Sequence, residues 1–303
     1  MSTAGVVAPA AHSGPMRRAA AEIDALFARI LPDPPDPRRR LYEAMRYAAV
    51  GGGKRLRPLI TIASAELFGG PRTAALSAAL AVECVHIHSL IHDDLPCMDD
   101  DDLRRGKPTV HRAFDEATAV LAGDALLALA FEILSGPSLP LPGETRAELV
   151  FELARAAGAA GMAGGQMLDL LPAAEAPDLD AITRLQRLKT GALIAWCVEA
   201  GAIMGRAPAD LRLSLRGYAH CLGLAFQIAD DLLDHQGNEA TVGKRLRKDD
   251  QQGKVTFVTL LGPERARRQA EMLVDQACEH LEAFGSNGEL LGGIARFAIN
   301  RDH

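Results

Sequence analysis

Alanine and leucine dominate the long apolar segments of this chain, and that composition constrains its fold more than any other feature. Hydrophobic residues make up 48% of the 303 residues, whereas aromatic residues make up only 4%. Alanine and leucine are well tolerated in helices, while strands favour β-branched and aromatic residues. The apolar residues recur at helical spacing, and neither a strand alternation nor a shift in composition is present. We therefore predict a single all-α domain.

Glycine and proline mark the ends of the predicted helices. The proline-rich segment 31–37 cannot be helical. Residues 1–15 have no charged start followed by a strong apolar run, so we expect a disordered segment there and not a signal peptide, with the domain covering 16–303. One helix should carry Leu41, Met45 and Tyr47 and stop at Gly51. Further helices are predicted at 16–30, 58–68, 73–93, 115–135, 145–167, 179–204, 208–235 and 254–284, with a short one at the end and loops at 136–143 and 171–177.

Charge and cysteine usage narrow the class of protein. A formal net charge of −6 argues against a nucleic-acid-binding protein, which is usually basic. The five cysteines show no metal-ligand spacing, which indicates reduced thiols in a cytoplasmic protein. No uninterrupted apolar run reaches about 18 residues, so we do not expect stable insertion in a membrane.

Two aspartate clusters follow long apolar helices, which hints at two similar halves facing each other. Carboxylate oxygens suit Mg²⁺, whose octahedral shell is often completed by substrate phosphates. A short acidic motif alone is more often a solvated helix end, and the first cluster does not match the spacing of a calcium-binding EF-hand loop. The first cluster contains Asp93, Asp94 and Asp99, and the second contains Asp230, Asp231 and Asp234.

Basic residues alternate with these clusters along the chain. The run Gly51–Gly53 precedes Lys54 and Arg57 at a helix start that is opened by proline, an arrangement that favours anions. Each single basic residue is more often a solvated surface charge. Their alternation with the aspartate clusters is harder to explain by solvated surface charges alone. It suggests an enzyme that binds diphosphates through metal ions. The other basic residues of this set are Arg104, Arg105, Lys189, Lys244 and Lys254.

The motifs together resemble the trans-polyprenyl diphosphate synthase family, in particular its bacterial short-chain members. The resemblance rests on GGKRLRP, ECVHIHSLIHDDLPCMDDDDLRRGKPTVH, LAGDALL, GGQMLDL, LKTGALI, FQIADDLLD and VGKRLRKDDQQGKVTFV, and it extends from about Leu41 onward. It implies a bundle of antiparallel helices around a deep central cavity, a homodimer, and about three Mg²⁺ ions per site, for which Mn²⁺ can substitute.

The same resemblance assigns roles to individual residues. Metal ions would be held by Asp93, Asp94, Asp99, Asp230, Asp231 and Asp234, with Asp230 as the leading ligand of the second cluster. The allylic diphosphate would contact Arg104, Lys189, Lys244 and Lys254. Isopentenyl diphosphate would be bound by Gly53, Lys54, Arg57, His86 and Arg105. Oxygen dipoles facing the developing carbocation would come from Thr190 and Gln227, and the same cavity would be lined by Gln166 and Asp169.

The implied reaction joins isopentenyl diphosphate to dimethylallyl or geranyl diphosphate. The allylic carbon–oxygen bond ionises, the isopentenyl double bond attacks the cation, and a proton is lost to the departed diphosphate. Product length is expected to depend on His88 and Ser89, because the family places a bulky aromatic residue five positions before the first aspartate in enzymes that make farnesyl diphosphate. Histidine is smaller than tyrosine, which leaves the C20 product, geranylgeranyl diphosphate, open. The Pro96–Cys97 insertion in the first cluster favours a short product, so the C15 product is expected.

Other classes fit the sequence less well. A terpene cyclase would share an aspartate-rich helix, but it would not need two basic pockets, and its cavity is usually rich in aromatic residues. A non-catalytic synthase subunit would be expected to lack carboxylates from one cluster, and both are intact here. A metal-dependent phosphohydrolase would need a further histidine ligand, and none has convincing spacing.

Overall fold

The computed structural model describes residues 10–171, 178–236 and 255–300, and these are almost entirely helical, as predicted. A short hairpin is formed by β1 (Leu103–Arg104) and β2 (Lys107–Pro108), a π-helical turn lies at Arg187–Gly191, and a 3₁₀ segment at Glu282–Gly288. The helices are α1 (Ala10–Ile30), α2 (Arg39–Ala49), α3 (Leu56–Leu67), α4 (Arg72–Asp93), α5 (Val110–Ala113), α6 (Glu116–Ser135), α7 (Gly143–Ala157), α8 (Met162–Leu170), α9 (Leu179–Gln186), α10 (Ala192–Met204), α11 (Ala209–Gln236), α12 (Phe257–Leu261), α13 (Pro263–Glu279) and α14 (Glu289–Ile299).

Helix α4 lies at the centre of the bundle. It packs against α3, α6 and α10, and more loosely against α1 and α2. Small side chains allow this number of neighbours, because alanines line its N-terminal half, where Ala74, Ala75, Ala78 and Ala79 are almost fully buried. The C-terminal end of α4 leads into the first aspartate cluster, so a helix at the centre of the core positions candidate site residues.

Several predicted helix boundaries were wrong. Helix α1 begins at Ala10, six residues before the predicted start, so it includes part of the stretch expected to be disordered. The helix predicted at 145–167 is interrupted at 158–161, where glycines weaken the helix, giving α7 and α8. The predicted helix at 179–204 contains the π-helical turn, and the one at 254–284 divides at Gly262 and again near residue 280.

Two helices, α4 and α6, are long and apolar enough to cross a membrane by length and composition. In α4, 67% of the apolar window is buried inside the bundle, which is the pattern of a core helix. In α6 only 39% is buried, and Val120 and Leu121 remain exposed. Helix α6 therefore carries an apolar face that the bundle leaves uncovered.

Candidate active site

The first aspartate cluster folds back on itself directly after α4. Pro96 ends the helical path, and the backbone N–H of Asp99 then donates to the carbonyl of Asp93 at 2.8 Å. Asp100 takes the left-handed conformation, with φ of 50°, which completes the reversal. The turn thus returns Asp99 to Asp93, and the two residues lie side by side although they are not on one helix.

The second carboxylate of this cluster is held by an arginine. Asp94 is 2% exposed, and its two oxygens accept hydrogen bonds from Nε and Nη2 of Arg104 at 2.6 to 2.9 Å. Paired N–H donors to one carboxylate form a strong, directional contact. Asp94 thereby orients Arg104, while Asp93 and Asp99 are not part of this pair.

The hairpin that carries Arg104 also positions Arg105. Its two turn residues, Arg105 and Gly106, both have positive φ, 54° and 74°, as a two-residue type I′ turn requires. The guanidinium of Arg105 packs on the backbone of Gly53, where an added Cβ would lie 2.6 Å from both terminal nitrogens. Gly53 itself has φ of +86°. Only glycine can adopt this positive φ without strain and also leave room for the Arg105 guanidinium. These two requirements explain why glycine occupies position 53.

Gly53, Arg57, His86 and Arg105 form what we call the basic pocket. The pKa of His86 lies well below its usual value, first because of burial and then because of nearby guanidinium groups, including those of Arg57 and Arg105. A histidine in that state is neutral at physiological pH and can donate one hydrogen bond without adding charge. Three predicted isopentenyl diphosphate ligands are therefore gathered around Gly53.

Two neighbouring basic residues, Lys54 and Arg55, make contacts with other parts of the bundle. Arg55 is 2% exposed and pairs with Glu83 and Asp24, each at 2.7 Å, and it also donates to the carbonyl of Ala49. Arg55 therefore belongs to a buried ion pair with a structural role. Its sequence context did not distinguish it from the neighbouring basic residues. The ammonium of Lys54 lies 5.9 Å from the ring centre of Phe297, in a cation–π contact with α14.

The π-helical turn presents Lys189 and Thr190 on the opposite side of the site. An extra residue in a helical turn widens it, and such turns often occur at functional sites. Helix α8 approaches it closely, because a Cβ on Gly165 would lie 2.2 Å from the backbone nitrogen of Lys189. The approach brings Asp169 to Lys189, with 2.5 Å between Oδ2 and Nζ. Both side-chain polar atoms of the neighbouring Gln166 are buried without a hydrogen-bond partner in the described ranges.

A chain of hydrogen bonds connects this turn to the second aspartate cluster. Thr190 Oγ1 donates to Gln227 Oε1 at 3.1 Å, and Gln227 Nε2 donates to Asp231 Oδ1 at 3.0 Å. The other oxygen of Asp231 accepts the backbone N–H of Phe257 at 3.1 Å. Asp231 is 6% exposed, so both of its oxygens are engaged inside the protein. It holds the Gln227 amide in one orientation and fixes the start of α12.

The charges that act on Asp93 show that the first aspartate cluster and the π-helical turn lie close to each other. Burial raises the pKa of Asp93 to about 6, the nearby ammonium of Lys189 opposes this rise, and the carboxylate of Asp99 adds to it. Lys189 therefore faces the first cluster while its neighbour Thr190 contacts the second cluster through Gln227. Crowded, partly buried carboxylates favour a bound cation, and oxygen donors of this kind suit Mg²⁺. The donor set fits the expected metal.

The cavity at this site has a volume of about 160 Å³ and lies between α2, α4 and the hairpin. It opens beside the basic pocket, and the sequence did not identify several of the residues that line it. A deep cavity at the centre of the bundle stays a prediction. The lining includes Tyr47, Ile87, Arg104, Lys107 and Thr109.

The residues expected to control product length lie beneath the first cluster. Ser89 Oγ donates to the carbonyl of His86 at 2.8 Å, so its hydroxyl is turned to its own helix. His88 is half-buried, and its ring meets that of His92 edge to face at 4.5 Å between centres. The ring is thereby directed toward α6. The remaining predicted ligands, Lys244 and Lys254, lie outside the described residues.

Comparison with known proteins agrees with this geometry. The polyprenyl synthetase family model matches residues 38–285. Farnesyl diphosphate synthase of Escherichia coli strain K12 is 47% identical over 265 residues, which are 86% of this chain and 89% of that protein.

Two solved structures are similar over nearly their full length. An FPP/GFPP synthase of Zymomonas mobilis has a TM-score of 0.87 and 56% identity, with 95% of this chain and 98% of that chain covered. A geranyltransferase of Helicobacter pylori complexed with magnesium and isoprenyl diphosphate has a TM-score of 0.82 and 31% identity, with 98% of each chain covered. The fold is that of the isoprenyl synthases, and the chain belongs to the polyprenyl synthetase family.

Proposed function

We propose that this protein is a Mg²⁺-dependent prenyltransferase that condenses isopentenyl diphosphate with dimethylallyl or geranyl diphosphate. One observation carries the proposal. Lys189 and Thr190 link the two aspartate clusters, because Lys189 faces Asp93 while Thr190 is hydrogen-bonded through Gln227 to Asp231. Two carboxylate clusters around a basic turn, with a second basic pocket beside them, form a site for two diphosphates.

Asp93, Asp99, Asp230 and Asp234 would bind the metal ions. Asp94 and Asp231, which the sequence also suggested as ligands, have both oxygens engaged by Arg104 and by Gln227 with Phe257, so we assign them a positioning role. Bound Mg²⁺ would neutralise charge on the leaving diphosphate and so lower the barrier to ionisation.

Each substrate would have its own set of cations. Arg104 and Lys189, with Lys244 and Lys254, would hold the allylic diphosphate, and the basic pocket together with Lys54 would hold isopentenyl diphosphate. Arginine forks suit phosphate oxygens, while neutral His86 adds a hydrogen-bond donor. The separation of the two sets lets the isopentenyl double bond approach the allylic carbon in a fixed orientation.

The residues between the clusters would stabilise the allylic cation. The hydroxyl of Thr190 donates a hydrogen bond to Gln227, so the lone pairs of its oxygen remain available to a positive charge. Such fixed dipoles act without reorganising when charge develops. The departed diphosphate would accept the final proton, so no side-chain base is required, and the apolar walls would exclude water from the cation.

We propose farnesyl diphosphate, C15, as the main product and geranylgeranyl diphosphate, C20, as the second candidate. The second candidate is favoured by the orientation of His88, because a ring that packs on His92 toward α6 fills less of the space beneath Asp93 than a bulky aromatic residue pointing into it. Chain length can be read directly from the products of a His88→Tyr variant, in which the C15 fraction should rise.

We also propose a homodimer located in the cytoplasm. Support for the dimer comes from exposed apolar side chains on α6 and α7, where Val120, Leu121 and Phe151 are 40 to 59% exposed. Exposed apolar side chains that cluster on a surface are typical of an oligomer interface. The proposed substrates are water-soluble diphosphates, and binding to them does not require insertion in a membrane.

A single incubation tests the activity. The protein is given Mg²⁺, isopentenyl diphosphate and either allylic diphosphate, and the products are separated by chain length. Chain growth is expected, whereas a cyclised hydrocarbon would indicate a terpene cyclase and phosphate release without growth a phosphohydrolase. Asp93→Ala and Asp230→Ala should reduce turnover by orders of magnitude with the fold retained, and Asp210→Ala, on the exposed start of α11, is the matched control. Near-normal turnover in both variants would contradict the proposal.

A further inference from the structure

Three potential metal ligands lie together beneath the first aspartate cluster, where α4 packs against α6. His88 and His92 are four positions apart on α4 and share one face of that helix. Asp124 reaches them from α6. One ligand atom from each side chain, an imidazole nitrogen or a carboxylate oxygen, lies within 4.8 Å of the other two.

The packing of α6 on α4 creates this cluster. Gly123 has no side chain, and a Cβ there would lie 2.2 Å from Nε2 of His92, so only glycine lets the ring reach the backbone of α6. Nε2 of His92 lies 3.1 Å from the carbonyl oxygen of Val120 and 3.9 Å from Oδ1 of Asp124. The carboxylate next to Gly123 is thereby placed beside the histidine pair.

Nδ1 of His88 is the ligand atom most available to a metal ion, whereas Nε2 of His92 would first have to give up its hydrogen bond to the carbonyl of Val120. Nδ1 of His88 is buried and has no hydrogen-bond partner in the part of the chain that the structure describes. Burial, and then the neighbouring His92, lower the pKa of His88 to about 4, so the imidazole is neutral at physiological pH, as a metal ligand must be. Asp124 has 62% of its side chain exposed and supplies a negative charge that can rotate toward the pair.

We propose that His88, His92 and Asp124 bind a divalent transition metal ion such as Zn²⁺ at a site separate from the aspartate clusters. Two imidazoles and one carboxylate are ligands that Zn²⁺ accepts, whereas Mg²⁺ prefers oxygen alone. In a tetrahedral Zn²⁺ site the ligand atoms lie about 3.3 Å apart. Side-chain rotations that move each ligand atom by roughly 1 Å would bring the three atoms to that spacing. The ion would link α4 to α6 about one helical turn below Asp93.

A simpler arrangement predicts the opposite result. In it, His92 and Asp124 only exchange polar contacts across the helix pair, and His88 packs on His92 as an aromatic ring. That arrangement requires no metal and should bind none at this position. The two possibilities therefore differ in metal affinity measured without substrate, which does not depend on the proposed prenyltransferase activity.

The experiment is a Co²⁺ titration of the full chain in excess Mg²⁺, which keeps the carboxylate clusters occupied, followed by visible absorption. Cys97 is the exposed one of the five thiols, so every protein carries Cys97→Ser. The variants are His88→Phe, which keeps a ring of similar size, and Asp124→Asn, which keeps the shape of an exposed side chain. His220→Gln, on the far helix α11 where His220 contacts Arg187, is the control. Zn²⁺ then displaces Co²⁺ in competition.

We expect one Co²⁺ per chain with the absorption of nitrogen ligation, and about tenfold or greater loss of affinity in His88→Phe and in Asp124→Asn but not in His220→Gln. Zn²⁺ should raise the melting temperature of the parent protein and not that of Asp124→Asn. Co²⁺ binding that is unchanged in both variants, or absent from the parent protein, would overturn the proposal. If His88→Phe does not fold, the Asp124→Asn result decides alone.

Discussion

Replacing Gly53 by alanine should separate two roles that this glycine combines. Its φ of +86° is unfavourable for any residue with a Cβ, and the Cβ itself would lie 2.6 Å from both terminal nitrogens of Arg105. The first effect acts on stability, because left-handed backbone costs a residue with a Cβ about 1 to 2 kcal/mol. The second acts on the site, because the guanidinium is the end of a flexible side chain and moves away at little cost to folding.

The displacement can be given a size. Ordinary contacts with a Cβ begin at 3.4 Å, so the guanidinium must retreat by roughly 0.8 Å. A shift of about 1 Å in a substrate-positioning group can cost up to about 100-fold in rate. We therefore expect kcat/KM for isopentenyl diphosphate to fall by about 10- to 100-fold, or roughly 1.4 to 2.7 kcal/mol. The KM for the allylic diphosphate should change little, because Arg105 does not belong to that set of ligands.

Gly51→Ala is the matched control for this prediction. Gly51 also has positive φ, 73°, but an added Cβ there meets no atom within 4 Å. Both variants should lose similar stability in urea unfolding, while only Gly53→Ala loses affinity for isopentenyl diphosphate in steady-state kinetics. If the two variants have the same kinetics, the contact between Gly53 and Arg105 does not position the substrate.

Three further predictions concern other parts of the structure. Asp231→Asn should reduce kcat by about tenfold or more, since one charged hydrogen bond is worth about 1.5 to 3 kcal/mol, while the Mg²⁺ dependence of the rate stays unchanged; a weaker apparent Mg²⁺ affinity would mean that Asp231 is a metal ligand after all. Arg40, and then Thr118, lower the pKa of Asp115 to about 2, so its charge stabilises the fold above its unfolded value of 3.8 and the gain is lost as the pH falls through 2. Thermal melts of Asp115→Asn should therefore lie below those of the parent protein at pH 6 and converge with them near pH 2. Leu121→Glu should give a monomer by light scattering, whereas Leu213→Glu, at a still more exposed leucine on α11, should leave the dimer intact; an unchanged dimer in Leu121→Glu would place the interface elsewhere.

The sequence predicted the class of fold because that depends on composition and periodicity alone. The return of Asp99 to Asp93 agrees with the proline between them, because proline excludes a continuous helix there. Helix interruptions were harder to predict. The apolar residues keep their helical spacing on both sides of the break near Gly161 and of the π-helical turn at Arg187–Gly191. Periodicity alone therefore predicts an uninterrupted helix at both places.

Partners within the site could not be predicted from residue type. Arg55 and Arg57 look alike in sequence, and only the fold shows that Glu83 and Asp24 neutralise the first of them inside the core. Asp94 and Asp231 likewise resemble their neighbours, yet each is engaged by groups that are distant in sequence. The hairpin turn that positions Arg105 did have a sequence signal. Gly106 follows Arg105 directly, and glycine in a two-residue turn favours the positive φ found there.

The π-helical turn has a consequence for how the chain can change length during evolution. One extra residue in a helix offsets everything beyond it by about 100° of rotation and 1.5 Å of rise. Loss of a single residue between Arg187 and Gly191 would restore a regular helix, but it would turn Lys189 and Thr190 away from Asp93 and Gln227 or rotate the buried side of α10 outward. Insertions and deletions in relatives should therefore accumulate in the flanking loops, and the length of this helix should be kept even where its sequence drifts.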